Sequence, residues 1–170
     1  MTLLAGIECD IRPDGTMDLA DDCLAQLDLV VASVHSHFTQ DQPQMTDRIL
    51  RALDCPWVDV LGHPTGRRLL KREPAAMDMG AIVAAAVERG VAMEINCQPE
   101  RLDLSDAHAR LARERGASLI ISTDAHSVTA LDRLRWGVKM ARRAWVRAED
   151  VLNTRGFEEF RGRLRRHRRR

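Results

Sequence analysis

The chain has 170 residues, of which 45% are hydrophobic and 30% charged, and its formal net charge is +1. This length favours one domain with a single substantial core, and the four widely spaced cysteines favour reduced, packed thiols over a disulfide framework. No apolar stretch approaches the roughly 20 residues that cross a bilayer, and no basic segment leads into a signal-like core, so we expect a cytoplasmic protein without a membrane partner.

Five short apolar runs predict β-strands. They are nearly continuous rather than alternating, which is typical of parallel strands that are covered on both faces. Successive runs begin 26 to 33 residues apart, a spacing that leaves room for one helix in each interval. The predicted fold class is therefore α/β. The runs begin near Leu3, Leu29, Val58, Val91 and Ala117.

Helical periodicity fills the intervals between the later runs. Thr46 is predicted to cap the helix after the second run, with Met45 and Leu50 spaced for a hydrophobic staple. A second helix is predicted between an Asp78 cap and Gly90, and the same pattern recurs from Ser105 to Arg115.

The C-terminal part of the chain is predicted to be helical from Asp124 to its end. Residues 161–170 hold seven arginines and no acid, which leaves 19 basic against 25 acidic residues elsewhere. Such a tail adds salt-dependent affinity for phosphates, but it is also typical of a solvated terminus. Aromatic residues make up 4% of the chain, so we expect no platform for stacking bases. The predicted apolar stripe of the helical part is Leu131, Leu134, Val138, Ala141 and Trp145.

Each predicted strand is followed by a polar side chain of the kind that binds metals or substrates. Parallel strands of a β/α barrel present their C-terminal ends on one rim, so these side chains are expected to converge there. Each has a structural alternative: Glu8 could pair with an arginine, His63 could only shape the turn at Pro64, and Asn96 could cap a loop. The rim residues are Glu8, His35, His63, Asn96, Asp124 and, two positions later, His126.

This set of residue types predicts metal chemistry. Glu8, His35 and His63 would form a set of three protein ligands that leaves one coordination position open for water. A water molecule bound to a metal that these three residues hold ionises near neutral pH and can attack phosphorus. Phosphate-ester hydrolysis is therefore the expected reaction. Asp124 and His126 lie two apart in an extended segment, which lets both side chains face further cations.

Several motifs resemble the polymerase-and-histidinol-phosphatase (PHP) domain, above all the version in bacterial family X DNA polymerases. The resemblance covers nearly the whole chain with its motifs in the same order. The matching motifs are Gly-Ile-Glu-Cys-Asp-Ile, Ala-Ser-Val-His-Ser, Met-Thr-Asp-Arg-Ile, Leu-Gly-His-Pro-Thr-Gly-Arg, Glu-Ile-Asn, Arg-Leu-Asp-Leu and Ser-Thr-Asp-Ala-His.

The resemblance implies a distorted (β/α)7 TIM-like barrel with up to three divalent metals, with zinc, manganese and iron as candidates, that hydrolyses phosphoesters. In the polymerase setting this would be 3′-5′ exonuclease action on a DNA 3′ end. Matched motif to motif, Glu8 would bridge two metals, His35 and His63 would complete one site, and Asp124 and His126 would serve the other two.

The chain also departs from the family pattern. Family members supply a His-x-His strand and two further ligands before the glutamate motif, whereas this chain reaches its glutamate at position 8. We therefore expect about five of the seven βα units, an incomplete PHP domain over residues 1–155, and a C-terminal helix with an arginine-rich tail over residues 156–170. We also expect little activity alone, and an N-terminal PHP segment or a polymerase core as partner.

Two other functions remain open from the sequence. One is a free-standing PHP phosphatase of a small phosphomonoester, and the other is a non-catalytic remnant that binds metal or DNA. Arg67 and Asn96 are candidates for binding the substrate phosphate, although a solvated loop charge explains Arg67 equally well. His37 is assigned to a loop or to a supporting position beside the ligands, and His108 to a helix surface.

Overall fold

Five parallel strands form one sheet in the computed structural model, which describes residues 2–168. Their order in the sheet is their order along the chain, so each connection returns over a face of the sheet to the next position. The α/β prediction is confirmed, and each strand begins within three residues of the predicted start; closure into a barrel stays a prediction. The strands are β1 (Gly6–Asp10), β2 (Leu29–Ser33), β3 (Val60–Leu61), β4 (Ala92–Asn96) and β5 (Leu119–Ser122).

Seven α-helices connect or follow these strands within residues 2–168, and none of them is both long and apolar enough to be a membrane span. Short 3-10 helices lie at Val128–Arg133, Ala148–Asp150 and Leu152–Thr154. The α-helices are α1 (Asp21–Ala25), α2 (Gln42–Asp54), α3 (Met79–Arg89), α4 (Asp106–Glu114), α5 (Leu134–Arg143), α6 (Phe157–Arg163) and α7 (Arg165–Arg168).

The ends of α3 and α4 follow the sequence prediction. The Asp78 carboxylate accepts the amide of Ala81 at 3.0 Å, and Ser105 Oγ accepts the amide of His108 at 3.2 Å, so both helices have side-chain caps. Gly90 ends α3 in the left-handed conformation that suits glycine.

The predicted start of α2 is wrong. Asp41 caps this helix by accepting the amide of Gln44, and the Gln44 side chain in turn accepts the amide of Asp41. This capping box, followed by Pro43 in the first turn, places the N-cap five residues before Thr46. Thr46 lies inside the helix, where its hydroxyl donates to the Gln42 carbonyl and accepts the amide of Asp78.

The predicted C-terminal stripe is also wrong. The segment after Asp124 is broken into short helices, and α5 faces the sheet through Gly137 and Ala141 rather than through large side chains. A Cβ on Gly137 would lie 2.2 Å from Sγ of Cys97, the residue after β4, so only glycine lets the helix come this close to the end of that strand. The large residues of the stripe are therefore exposed: Leu131, Leu134, Val138 and Trp145.

Part of the arginine-rich segment is buried rather than solvated. Arg165 donates to the carbonyls of Leu53 and Cys55 at 2.7 Å each. Arg166 pairs with the fully buried carboxylate of Asp59 at 2.7 Å, and Asp59 also accepts the amide of Val30. Since Asp59 directly precedes β3, the C-terminal segment packs against the end of the sheet opposite to the predicted site.

The two edges of the sheet differ. Beside β5, Asn153 bonds through its side-chain amide to both the N–H and the carbonyl of Ile121, and Val151 forms a bridge to Leu119. Among residues 2–168, β1 has a strand neighbour only in β2. Within the part of the chain that the structure describes, β1 is therefore an edge strand, and an incomplete barrel stays a prediction.

Candidate metal centre

Glu8, His35 and His63 lie together, although Glu8 is inside β1 and does not follow it as predicted, whereas His35 and His63 each come two residues after the end of β2 and β3. One carboxylate oxygen of Glu8 is 3.1 Å from Nε2 of His35 and 2.8 Å from Nε2 of His63. Within residues 2–168 these three form the group of metal-binding side chains whose ligand atoms all lie within 4.8 Å of one another. In the register of the sheet Glu8 pairs with Val31 in β2, and Val31 pairs with Val60 in β3, so His35 and His63 lie four and three residues further along the chain than the residues level with Glu8.

Asp10 orients His35 and was missed from the sequence. A short hydrogen bond joins Nδ1 of His35 to the Asp10 carboxylate, which leaves Nε2 of the ring facing Glu8. Carboxylates commonly fix metal-binding histidines in this way. The available indication was the Glu8-x-Asp10 spacing, since residues two apart on a strand share a face.

The cluster shifts the titration of two of its members in the metal-free protein. Hydrogen bonds from His35 and then His63 hold the pKa of Glu8 far below its ordinary range, despite its partial burial. The carboxylates of Glu8 and Asp10 raise the pKa of His35 above its ordinary value of 6.5. Glu8 is therefore ionised across the physiological range and available as a ligand.

His63 is more deeply buried than the other two residues. Its side chain is 2% exposed, and its backbone has a positive φ of 24° directly after β3. Its amide donates to a carboxylate oxygen of Glu94 at 2.5 Å. Glu94 was not singled out from the sequence because it lies within an apolar strand. Burial raises the pKa of this carboxyl above its ordinary value.

Asp124 and His126 are at the end of β5 and are not members of the three-residue cluster. Asp124 also has a positive φ, of 48°, and its carboxylate accepts Nδ2 of Asn96 at 3.2 Å. The His126 side chain is 85% exposed, and its Nδ1 lies 2.9 Å from the Asp124 carbonyl. Since a carbonyl only accepts, Nδ1 is the donor of this contact.

The two candidate substrate contacts are engaged by protein groups. The Arg67 guanidinium donates to the backbone carbonyls of Arg101 and Leu102, and so braces the loop after β4. Asn96 is fully buried between Glu94 and Asp124. Binding of a substrate phosphate by either residue stays a prediction.

The other histidines lie apart from the cluster. His37 is exposed, in the loop assigned to it, with a positive φ. His108 is half-buried in α4 rather than on its surface, and burial lowers its pKa.

The fold and this cluster define an α/β protein with a candidate metal centre at the C-terminal ends of its strands. The chain is similar to the DNA polymerase/3′-5′ exonuclease PolX of Bacillus subtilis, with 40% identity over 165 residues that cover 97% of this chain and 29% of that protein.

Two probable phosphatases are also similar. The one from Thermoanaerobacter sp. (strain X514) is 29% identical over 162 residues, which cover 89% of this chain and 64% of that protein. The one from Shewanella sp. (strain ANA-3) is 32% identical over 139 residues, which cover 76% and 52%. The chain thus spans less than two thirds of the length of each of these relatives. No protein-family model matches it.

Proposed function

We propose that this chain is a metal-dependent phosphoesterase of the PHP type. The observation that carries the proposal is the convergence of Glu8, His35 and His63, two imidazoles and one carboxylate whose ligand atoms lie within 4.8 Å of one another. The names of the relatives support the same chemistry, because an exonuclease and a phosphatase both cleave phosphoesters.

The donor set fits a divalent metal. Two neutral imidazole nitrogens and a carboxylate oxygen suit zinc, manganese or iron, and Asp10 supplies the outer carboxylate that fixes one ring. A divalent ion held by Glu8, His35 and His63 would supply Lewis acidity and a hydrolytic nucleophile at neutral pH. Asp124 and His126 are proposed as ligands of further ions.

The protein residues have separate tasks in this proposal. Glu8 contributes a permanent negative charge that offsets the charge of the ion. His35 keeps Nε2 available because Nδ1 is bound to Asp10. His63 is buried and so presents one orientation to the site. Arg67 and Asn96 are proposed to contribute to binding of the substrate phosphate. They would either contact it directly or fix the loops that surround it.

We propose a DNA 3′ end as the substrate, with an N-terminal PHP segment or a polymerase core as partner in a cytoplasmic setting. The basis is the 40% identity to PolX, which is a polymerase and an exonuclease by name. A small phosphomonoester is the second candidate, because two of the relatives are named probable phosphatases. We also propose that the PHP-type part comprises residues 1–155 and that residues 156–170 form a separate C-terminal helix and arginine-rich tail.

Metal analysis of the wild-type chain and of His63→Ala tests the central claim. We expect at least one tightly held ion per wild-type chain and its loss in the variant; a wild-type chain that binds no divalent ion would overturn the function. His108→Ala is the matched control, since this histidine lies in α4 outside the cluster.

Substrate panels then separate the remaining possibilities. The manganese-loaded chain is to be incubated with 3′-labelled DNA and with small phosphomonoesters, alone and with the polymerase core of a PolX relative. Trimming of DNA supports the exonuclease, and release of phosphate from the monoesters supports the phosphatase. A bound ion with no turnover under any of these conditions identifies a non-catalytic metal-binding protein.

A further inference from the structure

Glu94 joins three neighbouring strands at the edge that carries the candidate centre. It lies within β4 and is 6% exposed. One carboxylate oxygen accepts the amide of His63 after β3 at 2.5 Å, and the other accepts the hydroxyl of Ser122 at the end of β5. A single buried carboxylate thus links the ends of β3, β4 and β5.

Asn96 extends this link to Asp124. Its side-chain NH₂ donates to Glu94 at 3.3 Å and to the Asp124 carboxylate at 3.2 Å. Its side-chain oxygen accepts the amide of Gln98 at 2.9 Å, so all functions of the amide group have partners. Gln98 in turn donates to the Asp124 carbonyl at 2.5 Å, which holds the same residue from a second side.

The two residues at the ends of this network share an uncommon backbone conformation. His63 and Asp124 both have positive φ, which a residue with a Cβ adopts only when its surroundings hold it there. Glu94 accepts the backbone amide of His63, and Asn96 donates to the carboxylate of Asp124.

We propose that Glu94, acting with Asn96, is a positioning residue that aims His63 and Asp124 at the metal site. The inference rests on the proposed function, because it assumes that His63 is a ligand. Glu94 itself faces the backbone of His63 and the side chains of Asn96 and Ser122, so it acts through these groups and not as a ligand of the ion.

Two substitutions separate positioning from a general contribution to folding. Glu94→Gln keeps an oxygen for the His63 amide and for Asn96, and its NH₂ can donate to Ser122 once that hydroxyl turns to accept. Glu94→Ala removes all three bonds. Asp59→Asn is the matched control, because Asp59 is a buried acid that holds Arg166 at the other end of the strands.

Manganese binding by calorimetry, at a temperature where circular dichroism shows every variant folded, gives the first measurement. We expect Glu94→Ala to weaken binding about ten-fold or more, as for other residues that support metal ligands, and Glu94→Gln and Asp59→Asn to stay near wild type. If Glu94→Ala does not fold, Asn96→Ala serves instead, with the same expected direction.

The amide resonance of His63 gives a second measurement that needs no metal. A 2.5 Å bond to a carboxylate places this proton far downfield, and we expect the shift to persist in Glu94→Gln and to collapse in Glu94→Ala. Wild-type affinity in Glu94→Ala would overturn the inference, as would equal losses in the alanine and glutamine variants. Absence of manganese binding by the wild type would instead overturn the proposed function.

Discussion

Asp10 and His35 are joined by a short hydrogen bond between Oδ1 and Nδ1, and this bond points Nε2 of His35 at Glu8, 3.1 Å away. Asp10 therefore selects which ring nitrogen carries the proton and which is free to bind a metal. Glu8 and Asp10 are two positions apart on β1, so one strand provides both a ligand and the group that orients a neighbouring ligand.

Removal of the Asp10 carboxylate is expected to weaken the site without abolishing it. Asp10→Ala should lower metal affinity about 10-fold to 100-fold, because the His35 ring loses its fixed orientation. Asp10→Asn should lower metal affinity less, since the side-chain oxygen of asparagine still accepts from Nδ1 of His35. Calorimetric titration with zinc or manganese measures both, with the exposed Asp22→Ala as control. Equal affinity in Asp10→Ala and wild type would contradict the orienting role.

The parallel α/β sheet and the grouping of Glu8, His35 and His63 could be predicted, because apolar runs and the polar residues near their ends are local patterns. Apolar runs at βα spacing fix a parallel sheet, and parallel strands place the residues that follow them at one edge. Glu94 could not be found in this way, because a carboxylate inside an apolar strand has no pattern of its own until its partners on other strands are known. Likewise, the Asp59–Arg166 pair spans 107 residues and exists only through tertiary packing.

The metal-free protein is expected to lose stability as the pH rises above neutrality. Its folded state raises the pKa of His35, so the stabilisation is fully present below the ordinary value of 6.5 and is lost as the pH rises through the raised pKa. Glu8 acts oppositely: its lowered pKa gives a stabilisation that is present above the ordinary value of 4.5 and is lost in stronger acid.

Metal binding should reverse the loss of stability above neutral pH. The ion requires neutral imidazole, so protons compete with it below the raised pKa of His35 and its stabilising effect grows with pH. Thermal unfolding from about pH 5 to about pH 9, with chelator and with excess manganese, measures both slopes. His35→Gln should reduce the pH dependence of Tm both with chelator and with manganese. A wild-type Tm that rises with pH in chelator through this range would contradict the pairing of His35 with Glu8 and Asp10.

The buried pair of Asp59 and Arg166 is expected to contribute strongly to stability. Their side chains are 0% and 6% exposed, so Asp59→Ala leaves a buried guanidinium without its counter-charge, at a cost of about 3–5 kcal/mol. Asp47→Ala, which breaks the exposed pair of Asp47 with Arg51, should cost less than about 1 kcal/mol. Urea unfolding compares the two. Similar costs would show that the C-terminal segment is not held against the sheet in solution.

Gly62 directly precedes His63, and its lack of a side chain is expected to matter for both stability and metal binding. A Cβ at this position would lie 2.3 Å from Ser33 Oγ and 2.7 Å from Val31 Cγ1, so with alanine these side chains or the strands that carry them must shift. We expect Gly62→Ala to cost about 1–3 kcal/mol in urea unfolding and to weaken metal binding, because His63 moves with β3.

Gly162→Ala is the matched control: it lies in α6 with no atom within 4 Å of its Cβ position, and it should leave stability unchanged or raise it by up to about 1 kcal/mol. A Gly62→Ala protein as stable as the Gly162→Ala protein, with undiminished metal affinity, would mean that β2 and β3 can separate without disturbing the centre.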